Sequence, residues 1–137
     1  MKTVILAATV AVLVMGCGDA TPKCDDSEVT ESALSVATTV IMKQEIYQKM
    51  YKMTTASMRT RVAQYEMDRY NPTDDDIEKK IEEYDLEIIN IRTSNIDEAI
   101  QKITCSAQIK SGNGQTHNFD YTAQQTEDGN LFVEGSF

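Results

Sequence analysis

Tryptophan is absent from the chain, histidine occurs once, proline twice and glycine six times. Without tryptophan, the aromatic part of a core falls to six tyrosines and three phenylalanines. The one histidine, His117, sits in an alternating stretch after an Asn-Gly turn. No acidic or nucleophilic partner can be assigned to it there, so it reads as a surface strand residue rather than a catalytic base. No Gly-rich phosphate loop is present. Basic residues are scarce as well: 13 Lys and Arg face 22 Asp and Glu, for a formal net charge of −9. Such a balance is repelled by nucleic acid and by anionic headgroups, so neither is an expected partner. No apolar run reaches the roughly 20 residues needed to cross a bilayer.

What is present begins at the N-terminus. Lys2 precedes an apolar run, Val4 to Val14, which ends in Met15-Gly16-Cys17. The run fits the ~7–15 residue core of a secretory signal. Gly18-Asp19-Ala20 could serve an ordinary signal peptidase, which leaves simple secretion open. Val14-Met15-Gly16-Cys17 resembles the lipobox of bacterial lipoproteins, in which a peptidase cuts before a cysteine whose thiol carries diacylglycerol. That resemblance implies a signal peptide over 1–16, a lipidated Cys17 with a tether over 17–23, and one domain over 24–137. Each buried methylene contributes ~0.8 kcal/mol, and two acyl chains anchor stably where one does not. Gly18 after the lipidated cysteine matches sorting to the outer membrane, facing the periplasm.

Three cysteines make an odd count until Cys17 is given to lipid. Cys24 and Cys105 then remain in an oxidising compartment, and one disulfide is expected between them. It would close a loop of about 80 residues, worth ~4 kcal/mol on the chain-entropy model. Two free, buried thiols are the alternative. No histidine or cysteine lies near either at ligand spacing, so no metal site is expected.

Asp25-Asp26-Ser27-Glu28 has the composition of a helix start. Its side chains can satisfy free N–H groups and suit the positive end of the dipole. Val29, Ala33, Val36, Ala37 and Val40 then recur at helical spacing, which predicts a helix from about Ser27 to Met53. Met58, Val62 and Tyr65 suggest a second helix to about Tyr70, or an extension of the first; Asn71-Pro72 closes it. Thr73 caps a further helix with Asp74, Asp75 and Asp76 in its first turn and Ile77, Ile81 and Tyr84 along one stripe. Asp74, Asp76 and Glu78 alternate as calcium ligands do. The glycine and distal glutamate of an EF-hand loop are missing, so a solvated helix start is the better reading.

From Asp85 the period changes to two. Leu86 to Ile91 reads as a strand ending near residues 92–95. Ile103, Cys105, Ala107 and Ile109 alternate with polar residues, which places Cys105 on an inward face. Asn113-Gly114 and Asp128-Gly129 mark tight turns on either side of a strand carrying Phe119, Tyr121 and Ala123. A last strand starts at Leu131 and runs nearly to Phe137. The expected fold class is α+β, with N-terminal helices packed on a four-stranded antiparallel meander.

The order of elements resembles the cystatin or NTF2-like arrangement, which implies a sheet curled around a helix and does not fix a function. Gly16 to Asp19, Pro22 to Val29, Cys105 to Ala107, Tyr121 to Gln124 and Glu127 to Glu134 resemble a group of small proteobacterial lipoproteins. That resemblance covers both ends of the chain and implies a periplasm-facing lipid anchor, with no activity attached.

No residues assemble into a catalytic constellation, and no cofactor is implied. Ser32, Ser35 and Ser57 lie outside any nucleophile-elbow pattern. The carboxylate pairs Glu82/Glu83 and Glu127/Asp128 fall on a helix end and a turn, where nothing separates their pKa values. The expected function is a non-enzymatic protein-binding module anchored in the envelope, with the membrane and an envelope protein as partners. The alternative is a carrier of a small apolar ligand, in a cavity between helix and sheet lined by Tyr47, Met50, Phe119 and Tyr121.

Overall fold

A computed structural model describes residues 21–53, 65–66 and 68–137. The predicted leader, Cys17 and most of the tether lie outside them, as does most of the predicted helix ending at Tyr70. The architecture is α+β. Among the described residues, helices α1 (Ser27–Met53) and α2 (Asp74–Tyr84) precede four strands. These are β1 (Glu87–Asp97), β2 (Lys102–Lys110), β3 (Thr116–Gln125) and β4 (Leu131–Ser136). They pair antiparallel in the order β1-β2-β3-β4, a meander.

Helix α1 follows a turn in which the Asp26 carboxylate accepts from the Lys23 N–H at 2.9 Å. Its buried line is Val29, Ala33 and Ala37, at i, i+4 and i+8. Val36 and Val40, predicted on the same face, are only half-buried. The alanines let the helix approach the sheet closely, and Phe119 and Tyr121 fill the space opposite in the same core cluster. Each fully buried side chain of the size of Val or Ile contributes ~1.5–3 kcal/mol. Thr38 is also buried, but its hydroxyl donates to the Leu34 carbonyl at 2.7 Å, so burial leaves no polar group unmet.

Helix α2 starts as the sequence predicts. Thr73 forms a capping box with Asp76, accepting from the Asp76 N–H while its own N–H donates to the Asp76 carboxylate. The Thr73 hydroxyl and N–H hold Asp76 below the usual carboxylate range. The helix ends at Asp85, which takes a left-handed conformation with φ 49°. Asp85 N–H donates to Glu82 and Leu86 N–H donates to Ile81, so two terminal carbonyls are satisfied. Tyr84 O accepts from Gly112 N–H at 2.9 Å, which fastens the end of α2 to the loop between β2 and β3.

In β2 and β3 the alternation holds as predicted: Ile103, Cys105, Ala107, Ile109, Phe119, Tyr121 and Ala123 are all buried. The two Gly-containing connections are longer than tight two-residue turns. Lys110 pairs with Thr116 and Gln125 with Leu131. Each connection closes a four-residue turn by a Gly N–H, from Gly114 to Ser111 O and from Gly129 to Thr126 O. The glycines carry φ 83° and 80°, which side chains resist. Strand β1 runs further than expected, to Asp97, because two register shifts interrupt its alternation, between Ile89 and Arg92 and between Thr93 and Asn95. Together they return Ile96, opposite Ile103, to the face used by Ile88 opposite Ile109.

Cys24 and Cys105 form a disulfide, with Cα atoms 5.8 Å apart. It joins the segment before α1 to the middle of β2, at the floor of the core. The buried Tyr121 hydroxyl donates to Cys24 O at 2.8 Å, beside the same bond.

Candidate functional site

An open cleft of about 1240 Å³ lies between the C-terminal half of α1, the end of α2 and the loop joining β2 to β3. Its floor is apolar: Val40, Ile41, Leu86, Ile109 and Phe137. Its rim offers amides and one imidazole, from Gln44, Gln48, Asn113, Gln115, Asn118 and His117. The Tyr84–Gly112 bond ties the end of α2 to the β2–β3 loop at the edge of this floor. Phe137, continuing past β4, packs against Phe119 with ring centroids 5.1 Å apart and is still half-exposed.

One wall of the cleft is a polar node between the helices. Lys80 Nζ lies 3.3 Å from Glu45 and 3.0 Å from Glu83, and 4.6 Å from the centroid of the Tyr84 ring. The Tyr84 hydroxyl donates to the other oxygen of Glu45. Its proton is held by that hydrogen bond first and by burial second, which raises the phenol above its ordinary value. Glu83, then Glu45, hold Lys80 in its charged form against the opposing effect of burial. With Lys80 and Tyr84 both bonded to Glu45, the node ties α2 to α1.

His117 stands at the rim, exposed, opposite Ile109. It forms no hydrogen bond or ion pair among the described residues. No group of three or more His, Cys, Asp or Glu among the described residues is placed to hold a metal ion. No described helix is long and apolar enough to cross a membrane.

Of the four residues expected to line an internal cavity, two lie in the core and two on α1. Phe119 and Tyr121 are 0% and 1% exposed, packed in the core with ring centroids 5.9 Å apart. Tyr47 and Met50 are half-buried on α1, outside the lining of the cleft. The cleft was missed because it arises from packing between elements distant in sequence. Only Lys80, Glu83 and Tyr84, at i, i+3 and i+4, carried a local signal for its wall. Comparison with protein-family models, with curated proteins and with solved structures returns no match.

Proposed function

We propose that this chain is a lipid-anchored envelope lipoprotein, facing the periplasm from the outer membrane, that acts as a non-enzymatic protein-binding module. Exclusion, immunity, inhibitor and envelope-assembly lipoproteins have this build. The observation that carries the reading is cysteine pairing. Cys24 and Cys105 are bonded to each other, which leaves Cys17 as the remaining thiol, at the end of an apolar run and directly after Gly16. A third cysteine in an oxidising compartment calls for a fate of its own, and diacylglycerol is the one its neighbours specify. The cleft supports the binding half of the reading. An apolar floor under a rim of amides suits a peptide segment, which needs both burial and main-chain hydrogen bonds. The helix-then-meander order supports a cystatin or NTF2-like arrangement.

Intact mass of the chain extracted from membranes tests the anchor. The expected species begins at Cys17, carries acyl groups and holds one disulfide. An unlipidated chain beginning at Thr21 would overturn the proposal. Cross-linking in the native envelope tests the binding half. A recurrent protein adduct that disappears on substitution at the cleft is expected, and repeated absence of any protein adduct counts against it. A small-ligand carrier is the second reading, favoured by a cleft whose volume, about 1240 Å³, is ample beside the roughly 300–1,000 Å³ of ligand sites. In that case the ligand would sit in the cleft and not between α1 and the sheet.

A further inference from the structure

Among the described residues five large apolar side chains are exposed, and two of them lie within one hairpin. Ile96 is 54% exposed at the end of β1, and Ile100 is 49% exposed in the turn that follows. Ile96 lines a shallow hollow together with Thr21, Pro22 and Lys23, where the described chain begins. The turn is tied to β3 by the Gln124 side chain, which donates to Ile100 O at 3.2 Å. Phe132, also exposed, stands opposite Gln124 on β4. Ile96, Ile100 and Phe132 therefore share one end of the sheet with Thr21. The cleft, with Ile109, Gly112 and His117, occupies the other end.

We infer that the β1–β2 hairpin is a second membrane contact, in which Ile96 and Ile100 enter the headgroup boundary of a zwitterionic leaflet. The inference rests on the anchored reading above. Only Gly18, Asp19 and Ala20 separate Cys17 from Thr21. That tether spans roughly 14 Å at most when fully extended. A lipid on Cys17 then holds the Thr21 end of the domain against the bilayer. The exposed apolar side chains beside Thr21 meet that surface first, and interfacial apolar groups settle ~5–10 Å into the headgroup and acyl boundary. The lipid class follows from charge. Asp97 and Glu98 lie between the two isoleucines, Asp25 and Lys23 line the same hollow and Lys102 stands opposite Asp97, so acidic groups still outnumber basic ones at this end and lipids without net charge are favoured over anionic ones. The consequence for the domain is orientation, with the cleft turned away from the membrane.

The absence of tryptophan makes the test clean, because one introduced indole reports alone. Ile100→Trp, in the turn before β2, and Lys110→Trp, at the far end of β2, both at exposed positions, are prepared as mature lipidated proteins. They are inserted into phosphatidylcholine vesicles containing lipids brominated near the top of the acyl chain. Ile100→Trp is expected to lose emission and shift to the blue, and Lys110→Trp to be unchanged. Equal quenching of both probes, or none of Ile100→Trp, overturns the inference. Added phosphatidylglycerol is expected to weaken the quenching; a stronger signal overturns the choice of zwitterionic lipid. Intact mass of the same preparation separates two failures. A chain without lipid on Cys17 removes the anchored reading and this inference together. A lipidated chain with unquenched Ile100→Trp removes this inference alone.

Discussion

The Tyr121 hydroxyl donates to the carbonyl oxygen of Cys24 at 2.8 Å, across 97 residues. The two residues are doubly joined, since Cys24 is also bonded to Cys105 and Cys105 stands opposite Tyr121 in the sheet. Tyr121→Phe removes the donor and leaves a buried carbonyl unmet, which should cost about 1–3 kcal/mol. Urea unfolding followed by circular dichroism measures it. A loss below a few tenths of a kcal/mol would show that water replaces the bond.

Burial, and then the negative charge of Asp25, push the Tyr121 phenol up to about 12. A phenol raised in the folded state keeps its proton while the unfolded chain, near pH 10, gives its own up. Its contribution to stability is therefore complete below pH 10 and is lost as pH rises toward 12. Unfolding midpoints should fall over that window, and fall less steeply in Tyr121→Phe. Parallel slopes for the two proteins would contradict the assignment.

The disulfide closes 81 residues of sequence. On the chain-entropy model its loss, by reduction or by Cys24→Ala with Cys105→Ala, costs about 4 kcal/mol. Because Tyr121 and Cys24 touch, the costs of Tyr121→Phe and of cysteine removal should not add. A double-mutant cycle of unfolding free energies gives the coupling, and simple additivity would show that the two links act independently.

Gly135 lies beneath the Phe119 ring, and a Cβ there would overlap Phe119 Cζ. Phe119 is fully buried and cannot swing out. Gly135→Ala should therefore destabilise by about 1–3 kcal/mol, the usual cost of overpacking. Phe119→Leu, although destabilising alone, should reduce the penalty of Gly135→Ala when the two are combined. If the two penalties simply add, the clash is relieved elsewhere.

Asp85 ends α2 at φ 49°, a conformation glycine adopts without strain. Asp85→Gly should raise stability by up to about 1 kcal/mol, read as a higher melting temperature. An unchanged or lower value would mean that the aspartate side chain makes a compensating contact with the Gly112 loop, which it adjoins.

These relationships differ in how far the sequence announces them. Strands β2, β3 and β4 follow from period-two apolar residues ending at Gly-containing turns. The cap of α2 follows from Thr73 and three aspartates. Those signals are local, so reading along the chain finds them. Strand β1 extends beyond its legible part because its two bulges break the alternation that marks a strand, and Asn90 at the first takes φ 53°. Phe119 and Tyr121 were recognised as inward-facing, but whether they bound a cavity or fill it depends on Ala33, Ala37 and Gly135 opposite. That depends on volumes across three elements, which no periodicity encodes. The Glu45–Lys80–Tyr84 node was missed for a related reason. Glu45 looks like an ordinary polar position of α1 until α2 folds back onto it.

The bulges of β1 also bear on how copies of this chain behave when crowded on one surface. β1 is an edge of the sheet, with main-chain groups that a neighbouring chain could extend. Its register is broken twice in eleven residues, so no long straight template is offered. The opposite edge, β4, is six residues long. On the anchored reading proposed above, copies held in one plane would meet far more often than copies free in solution, and irregular or short edges would let them do so without strand-to-strand growth into aggregates.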